Sequence, residues 1–425
     1  MRSLALSTRL LEARKQAPLV LSIGVQFVLA LFWGHAHDMR VFLATGYLVG
    51  TGQNPHVAQD LSAVFHDTSF QGMSTVGYPP PWSLLLGLAY LASYKLAPNL
   101  LAYNFAIKIP IIAGNISLAY LVANILRSLG ADEDVAHRAR LFLLFNPFLL
   151  YASSAWGQFD SIVALLALLA LLLLSTGRLT SSAILLALAF SFKPIALPLV
   201  PAALLYLRRT SLQRVLKYSS ILSLCALLFV VGPFILLNWD PTPIIEHWNG
   251  HFIEGGGMSF LTFLELTQDS YRLPGLWWLV GMLWAPAVGL AILALRPSGE
   301  GLLDLLAKST ALIMVFFLSR SWLSEPNIIL VLPFVLILTS MGALDRRTLT
   351  AVWVLPLVFG FFNTSMFQLL FPSMPSLMDR LLQSSDVFRT ARLFIRTIVV
   401  IPWLIVGGWI VGQCLRSPHV FRIRT

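Results

Sequence analysis

An all-α, polytopic membrane protein is the fold class this sequence predicts, on three observations. Hydrophobic residues fill 57% of its 425 positions and charged residues only 11%, against roughly 25% charged in a soluble domain. Apolar runs of about 15 to 28 residues follow one another, and at roughly 1.5 Å per residue many can cross a hydrocarbon core of about 30 Å. The 29 Lys and Arg outnumber the 19 Asp and Glu, but they gather in short stretches between runs, as topology signals do rather than nucleic-acid surfaces. We therefore expect about 11–14 transmembrane helices and no separate soluble domain.

Each element follows in chain order. A basic head (Arg2, Arg9, Arg14, Lys15) precedes an apolar run beginning at Pro18; Trp33 and His35 do not form a small-residue cleavage site, so this reads as an uncleaved first span. Residues 35–78 make a long first outer loop, closed by "GYPPPW", whose consecutive prolines fix φ and delay the next helix. Pro79–Leu129 and Ser181–Leu207 do not fit simple alternation between basic loops. Each carries a lysine beside a proline, "IKIP" at Lys108 and "FKPI" at Lys193. Each is expected to fold as a short hairpin with the lysine near its outer tip, or as one kinked helix with a snorkelling lysine. Between them, "NPFLLYASSAWGQFDS" sets Gln158 and Asp160 at a tip between the short apolar runs Leu141–Ala155 and Ile162–Leu174. Cys225 and Cys414 both lie inside apolar runs, which argues against a disulfide framework and a thiolate metal site.

Lysine and arginine content assigns the sides. The N-terminus, Arg127–Arg140, Arg178, Arg208–Lys217, Arg296–Lys308, Arg346–Arg347 and the C-terminal tail are expected in the cytoplasm. The first loop, Trp156–Asp160, Trp239–Arg272, Arg320–Asn327 and Pro372–Arg392 then face outward. The expectation is a multi-pass protein of the cell membrane with cytoplasmic termini and its chemistry on the outer face.

Candidate chemistry begins at Asp38, directly after the first span and flanked by His35, His37 and Arg40. A partly desolvated carboxylate beside imidazoles can take a proton from an incoming hydroxyl; the plainer alternative is a solvated aspartate paired with Arg40. Asp60, His66 and Asp67, further along the same loop, read as solvated. Gln158 and Asp160 need polar partners at membrane depth, and Lys108 and Lys193 are the cations on the same side. An Asp160–lysine ion pair that only fixes helix packing explains these residues as well as a binding site does. "EHWNGHFIEGGG" (Glu246, His247, His251, Glu254) reads as a solvated or substrate-contacting loop rather than a metal site. No P-loop or dinucleotide glycine pattern occurs, so a transferred group would come from a donor inside the membrane.

The first-loop aspartate, the proline-rich entry to the next span, "IKIP", "NPFLLYASSAWGQFDS" and the lysine-proline pair before "LPLVPAALL" occur in that order. In this the chain resembles the GT-C glycosyltransferases, membrane enzymes that use polyprenyl-phosphate sugars. It is most similar there to prokaryotic relatives of the second mannosyltransferase of GPI-anchor assembly. The likeness covers residues 20–210 well and the remainder by architecture alone, and it divides the chain into a catalytic transmembrane module, 1–210, and a variable transmembrane module, 211–425. It implies inverting transfer, for a mannosyltransferase of a mannosyl group, from a polyprenyl-phosphate donor to a glycan, lipid or protein acceptor. Asp38 would be the base, Arg40, Lys108 and Lys193 would bind the donor phosphate, and Gln158, Asp160, His37 and Glu325 would bind sugar or acceptor, with no metal or cofactor. "SRSWLSEPNIILVLPF" departs from the His-Glu-Arg-Tyr-like motif of such enzymes, keeping Glu325 but not the histidine or tyrosine.

Two other readings compete. A ligase moving a whole glycan predicts an arginine-rich long outer loop, and the two longest here carry only Arg40 and Arg272. A transporter or flippase of lipid-linked sugar predicts matched broken helices in two halves, whereas both lysine-proline breaks fall in the first half.

Overall fold

The computed structural model describes residues 2–73, 76–251, 254–264, 278–295, 301–363 and 366–416. Arg272, Arg296 and the tail beyond Arg416, counted above for sidedness, lie outside them, and of the "EHWNGHFIEGGG" cluster the His251 side chain is not described. Among the described residues the regular structure is helical apart from one two-residue parallel pairing, Gly256–Gly257 (β1) with Trp322–Leu323 (β2), and an isolated bridge between Gly34 and Leu370.

The longer helices of the first half are α1 (Arg2–Phe32), α2 (Ala36–Gly50), α3 (Pro80–Ala92), α4 (Leu100–Ser128), α5 (Glu133–Leu144), α6 (Asp160–Ser175), α7 (Leu179–Phe192), α8 (Leu199–Arg208) and α9 (Leu212–Val230). Those of the second half are α10 (Thr242–His251), α11 (Trp284–Ala294), α12 (Leu302–Ser319), α13 (Leu332–Ser340), α14 (Arg346–Asn363), α15 (Pro375–Ser385) and α16 (Arg389–Arg416). By length and composition, α4, α9, α12 and α16 can cross a membrane. The helices either side of residues 156–159, bent by 116°, could make a fifth broken span, and six shorter apolar helices accompany them. This is an α-helical polytopic membrane protein. α4 and α6 sit centrally, with α1, α5, α7 and α9 around them, while α12, α14 and α16 pack together in the second half. One connected core takes buried residues from Ala36 through to Cys414 and so joins the two modules read from the sequence, while Phe234, Trp239 and Ile244 form a smaller cluster of their own.

Helix starts follow the local sequence. Asn99 accepts the Ala102 amide at 3.0 Å and starts α4, and Ser211 does the same for α9 through Gln213. α2 and α3 run side by side in the same direction: Phe42 meets Trp82, Gly46 abuts Leu86, and Gly50 abuts Tyr90. Two parallel neighbours require the chain between them to return to its start, which is what the long first loop does. His56 anchors that loop, with Nδ1 3.0 Å from the Val76 carbonyl and its ring stacked on Phe234.

The two lysine-proline segments fold differently. At Lys193 the chain does break: the residue is extended (φ −153°), and Pro194–Ala196 forms a tight turn before α8. At Lys108 no hairpin forms, because α4 runs unbroken through Pro110. Nor does Lys108 snorkel. It is fully buried and donates to the carbonyls of Trp33 and Ala155, just past the end of α1 and at the end of the helical segment 150–155. One ammonium thus caps two helix C-termini, where carbonyls lack helical partners and a positive charge is favoured. That tie, rather than the proline, decides the local fold.

Residues 150–155 widen into a π-helical turn, in which the Trp156 amide donates to the Tyr151 carbonyl at 2.9 Å. Gly157 follows with φ +106°, a conformation that favours glycine, and a Cβ there would also collide with the Met39 sulfur. The chain then turns sharply into α6.

Candidate active site

Asp38 stands in the first turn of α2, whose start is capped by His35: the Asp38 amide donates to His35 Nδ1 at 3.3 Å. Its carboxylate faces the bend at 156–159 instead of Arg40. Oδ2 accepts the Trp156 indole N–H at 2.5 Å and the Gln158 side-chain amide at 2.7 Å. The Trp156 ring is held in turn by His35, stacked at 4.5 Å, and by Tyr151, edge-on at 5.6 Å. The Asp38 side chain stays 24% exposed, so a carboxylate fixed through one oxygen still meets the outside.

Gln158 links this carboxylate to a buried ion pair. Its amide nitrogen points at Asp38, and its oxygen lies 3.4 Å from Lys193 Nζ. Lys193 contacts both Asp160 oxygens at 2.9 Å and lies over the rings of Tyr78 and Phe159. Asp160, fully buried, opens α6, where a negative charge suits the helix dipole. The expected Asp160–lysine pair exists, and Lys193 has committed its donors within it.

Burial lowers the His35 pKa to about 4, against the opposing pull of Asp38 and Gln368. His35 is therefore neutral at physiological pH. Because Nδ1 accepts from the backbone, its proton belongs on Nε2. Burial alone would raise the Asp38 carboxyl, but His35, His37 and the bonds from Trp156 and Gln158 outweigh it and hold it below the usual carboxylate value. With His35 uncharged above about 4, the two hydrogen bonds are what support the anion at neutral pH. The site holds an ionised, oriented and reachable carboxylate.

The other expected residues lie around this network. Lys108 is beneath it, against Gly157 and with no exposed surface. This corrects its expected role in phosphate binding. Arg40 and His37 occupy the neighbouring face of α2. Arg40 is 4.0 Å from Asp67 and lies over the Phe371 ring, so neither the Asp38–Arg40 pair nor a fully solvated Asp67 is observed. Asp67 also caps the short turn Thr68–Phe70 through Ser69. Glu325 starts the 3₁₀ turn Glu325–Leu330, is 1% exposed and accepts the Asn363 amide at 3.1 and 3.2 Å. It is within electrostatic reach of Asp38 and abuts Tyr151 across Gly360, so it backs the network and does not face the opening.

Two participants were not singled out from the sequence. Trp156 reads there only as the start of an outer segment and His35 as a neighbour of Asp38, because nothing in a linear pattern joins position 38 to position 156. Arg320, just past α12, lies over Phe316 and has no carboxylate partner among the described residues. Among those residues no group of three His, Cys, Asp or Glu side chains could hold a metal ion. This sequence matches no protein-family model and no curated protein.

Proposed function

We propose that the chain is an inverting glycosyltransferase of GT-C type, a mannosyltransferase crossing the membrane about 11–14 times, with cytoplasmic termini and its site on the outer face. One observation supports the reading: the Asp38 carboxylate is held by Trp156 and Gln158 through a single oxygen, at the mouth of a buried polar network. In this reaction an acceptor hydroxyl gives its proton to Asp38, and its oxygen attacks the anomeric carbon of the polyprenyl-phosphate sugar. The bond from that carbon to the phosphate oxygen breaks on the opposite face, and polyprenyl phosphate leaves with one more negative charge. A positioned base contributes roughly 10²–10⁴-fold. The neutral Lys193–Asp160 pair orients Gln158.

The test is transfer from radiolabelled polyprenyl-phosphate sugars by the protein in lipid nanodiscs, with a panel of glycan, lipid and peptide acceptors. Wild type should consume a donor, and Asp38→Asn and Asp38→Ala should lose at least a hundredfold in turnover while still binding it. Undiminished transfer by Asp38→Ala would sink the assignment of the base.

A further inference from the structure

On the face of α2 next to Asp38, a cavity of about 180 Å³ is lined by Ala36, His37, Arg40, Ser69, Met73, Gln368, Met378, Asp379 and Leu382. At roughly 30 Å³ per water it has room for about six waters. That is the scale of a single sugar ring, below the roughly 300–1,000 Å³ of pockets for larger ligands. Its wall is continuous with the site through His35. That imidazole turns Nδ1 to Asp38, 3.5 Å away, and lies beside Gln368 on the cavity side.

The lining defines the ligand's chemistry. Arg40 and Asp379 bring opposite charges close enough to attract, so the cavity has no net preference for an anion, and a phosphate there would meet the Asp379 carboxylate. Guanidinium, amide and carboxylate are planar groups that pair with adjacent hydroxyls. Met73, Met378 and Leu382 give the apolar surface that the C–H face of a sugar needs. One buried polar atom at this wall, Arg40 Nε, has no hydrogen-bond partner within the protein, while the Gln368 side chain is turned to the His35 imidazole. Such an unpartnered group is costly unless something supplies the missing bond.

We propose that this cavity is the acceptor subsite and takes one uncharged pyranose ring, whose hydroxyls are presented toward Asp38 past the His35 ring. The proposal rests on the transferase reading above; it moves Arg40 from the donor phosphate to the acceptor and keeps His37 with the sugar or acceptor.

Two readouts on the full chain in nanodiscs test it. The first is saturation-transfer NMR with methyl α-mannoside, methyl α-glucoside and methyl N-acetyl-α-glucosaminide, which needs no turnover. At least one glycoside should bind. Its signal should fall at least fivefold in Gln368→Ala, in Asp379→Ala and in Met378→Trp, which fills the space, each checked for wild-type thermal unfolding. The second readout is donor consumption by the same variants, where the acceptor KM should rise at least fivefold with the donor KM unchanged. If no glycoside binds wild type, or binding survives in all folded variants, the subsite is overturned whatever the donor assay gives. Wild-type transfer with an unchanged acceptor KM in the variants overturns the subsite and leaves the transferase reading standing. Glycoside binding lost in the variants, without donor consumption by wild type, supports a saccharide site and overturns its role as acceptor subsite together with the transferase reading.

Discussion

A carboxylate at a membrane boundary becomes a base only if its charge is supported and its direction fixed, and at Asp38 both tasks fall to side chains far away in sequence. Trp156→Phe keeps the stack on His35 but deletes the N–H donated to Oδ2. Losing a hydrogen bond to a charged group costs about 1.5–3 kcal/mol, or roughly ten- to a hundredfold in turnover. Turnover should fall by that factor with donor affinity retained; an unchanged rate would show that the indole only packs. The same substitution has a pH signature. In the proposed reaction Asp38 works when ionised, and its pKa lies below the usual carboxylate value, so wild-type activity should persist to low pH and decline as the carboxylate protonates. Without the indole bond the pKa rises, and the acid limb of the pH–rate profile should move to higher pH. His35, neutral above about 4, should add no limb near its ordinary value of about 6.5.

At the scale of elements, the buried Lys193–Asp160 pair ties the break before α8 to the first turn of α6. Asp160→Asn leaves the ammonium buried without its counter-charge, which costs about 3–5 kcal/mol. The double variant Lys193→Met with Asp160→Leu should recover most of that stability in thermal unfolding, but not turnover, since Gln158 then loses the group that orients it. Equal stability of single and double variants would argue against a desolvated pair. A second contact holds the first loop's frame. A methyl at Gly46 would overlap the Tyr103 hydroxyl and the Leu86 carbonyl, where Tyr103 donates to Leu43 at 2.9 Å. Gly46→Ala should therefore cost about 1–3 kcal/mol by forcing α2 away from α3 and α4. Much at this scale was legible in advance. The break at Lys193 and the tip at Gln158 and Asp160 follow from residue types with strong local preferences, whereas the prolines expected to delay the next helix begin it, Pro80 and Pro81 being the first residues of α3. Lys108 was misread because a lysine-proline pair marks a break only when nothing else claims the lysine, and two distant carbonyls did. Trp156 and Gln368 were illegible for the same reason: their roles exist only across the fold.

The whole chain is read as lipid-embedded from its composition, and the helices long enough to cross agree. Sidedness remains a prediction from basic residues, and it has a direct measurement. With Cys225 and Cys414 replaced by serine, Ala58→Cys in the first loop should react with a membrane-impermeant maleimide on intact cells. Asp134→Cys, at the start of α5, should react only after lysis. The reverse pattern would invert the assignment and move the site to the cytoplasm. The number of crossings was less legible than their existence. α3, α7 and α8 are apolar but short, and hydropathy alone does not separate a short span from a helix buried in protein.

The wide turn at residues 150–155 makes the site sensitive to counting. A helix that gains or loses one residue rotates everything after it by about 100°, and the π-helical turn holds one residue more than an α-helical turn would. Trp156 and Gln158 face Asp38 only in that phase. A chain shortened by Ala152 alone could close the turn into ordinary helix and keep its hydrophobic faces, yet point the indole and the amide elsewhere. Insertions and deletions in this stretch should thus be tolerated far worse than substitutions, and a homologous chain without the extra residue would need another way to hold its base.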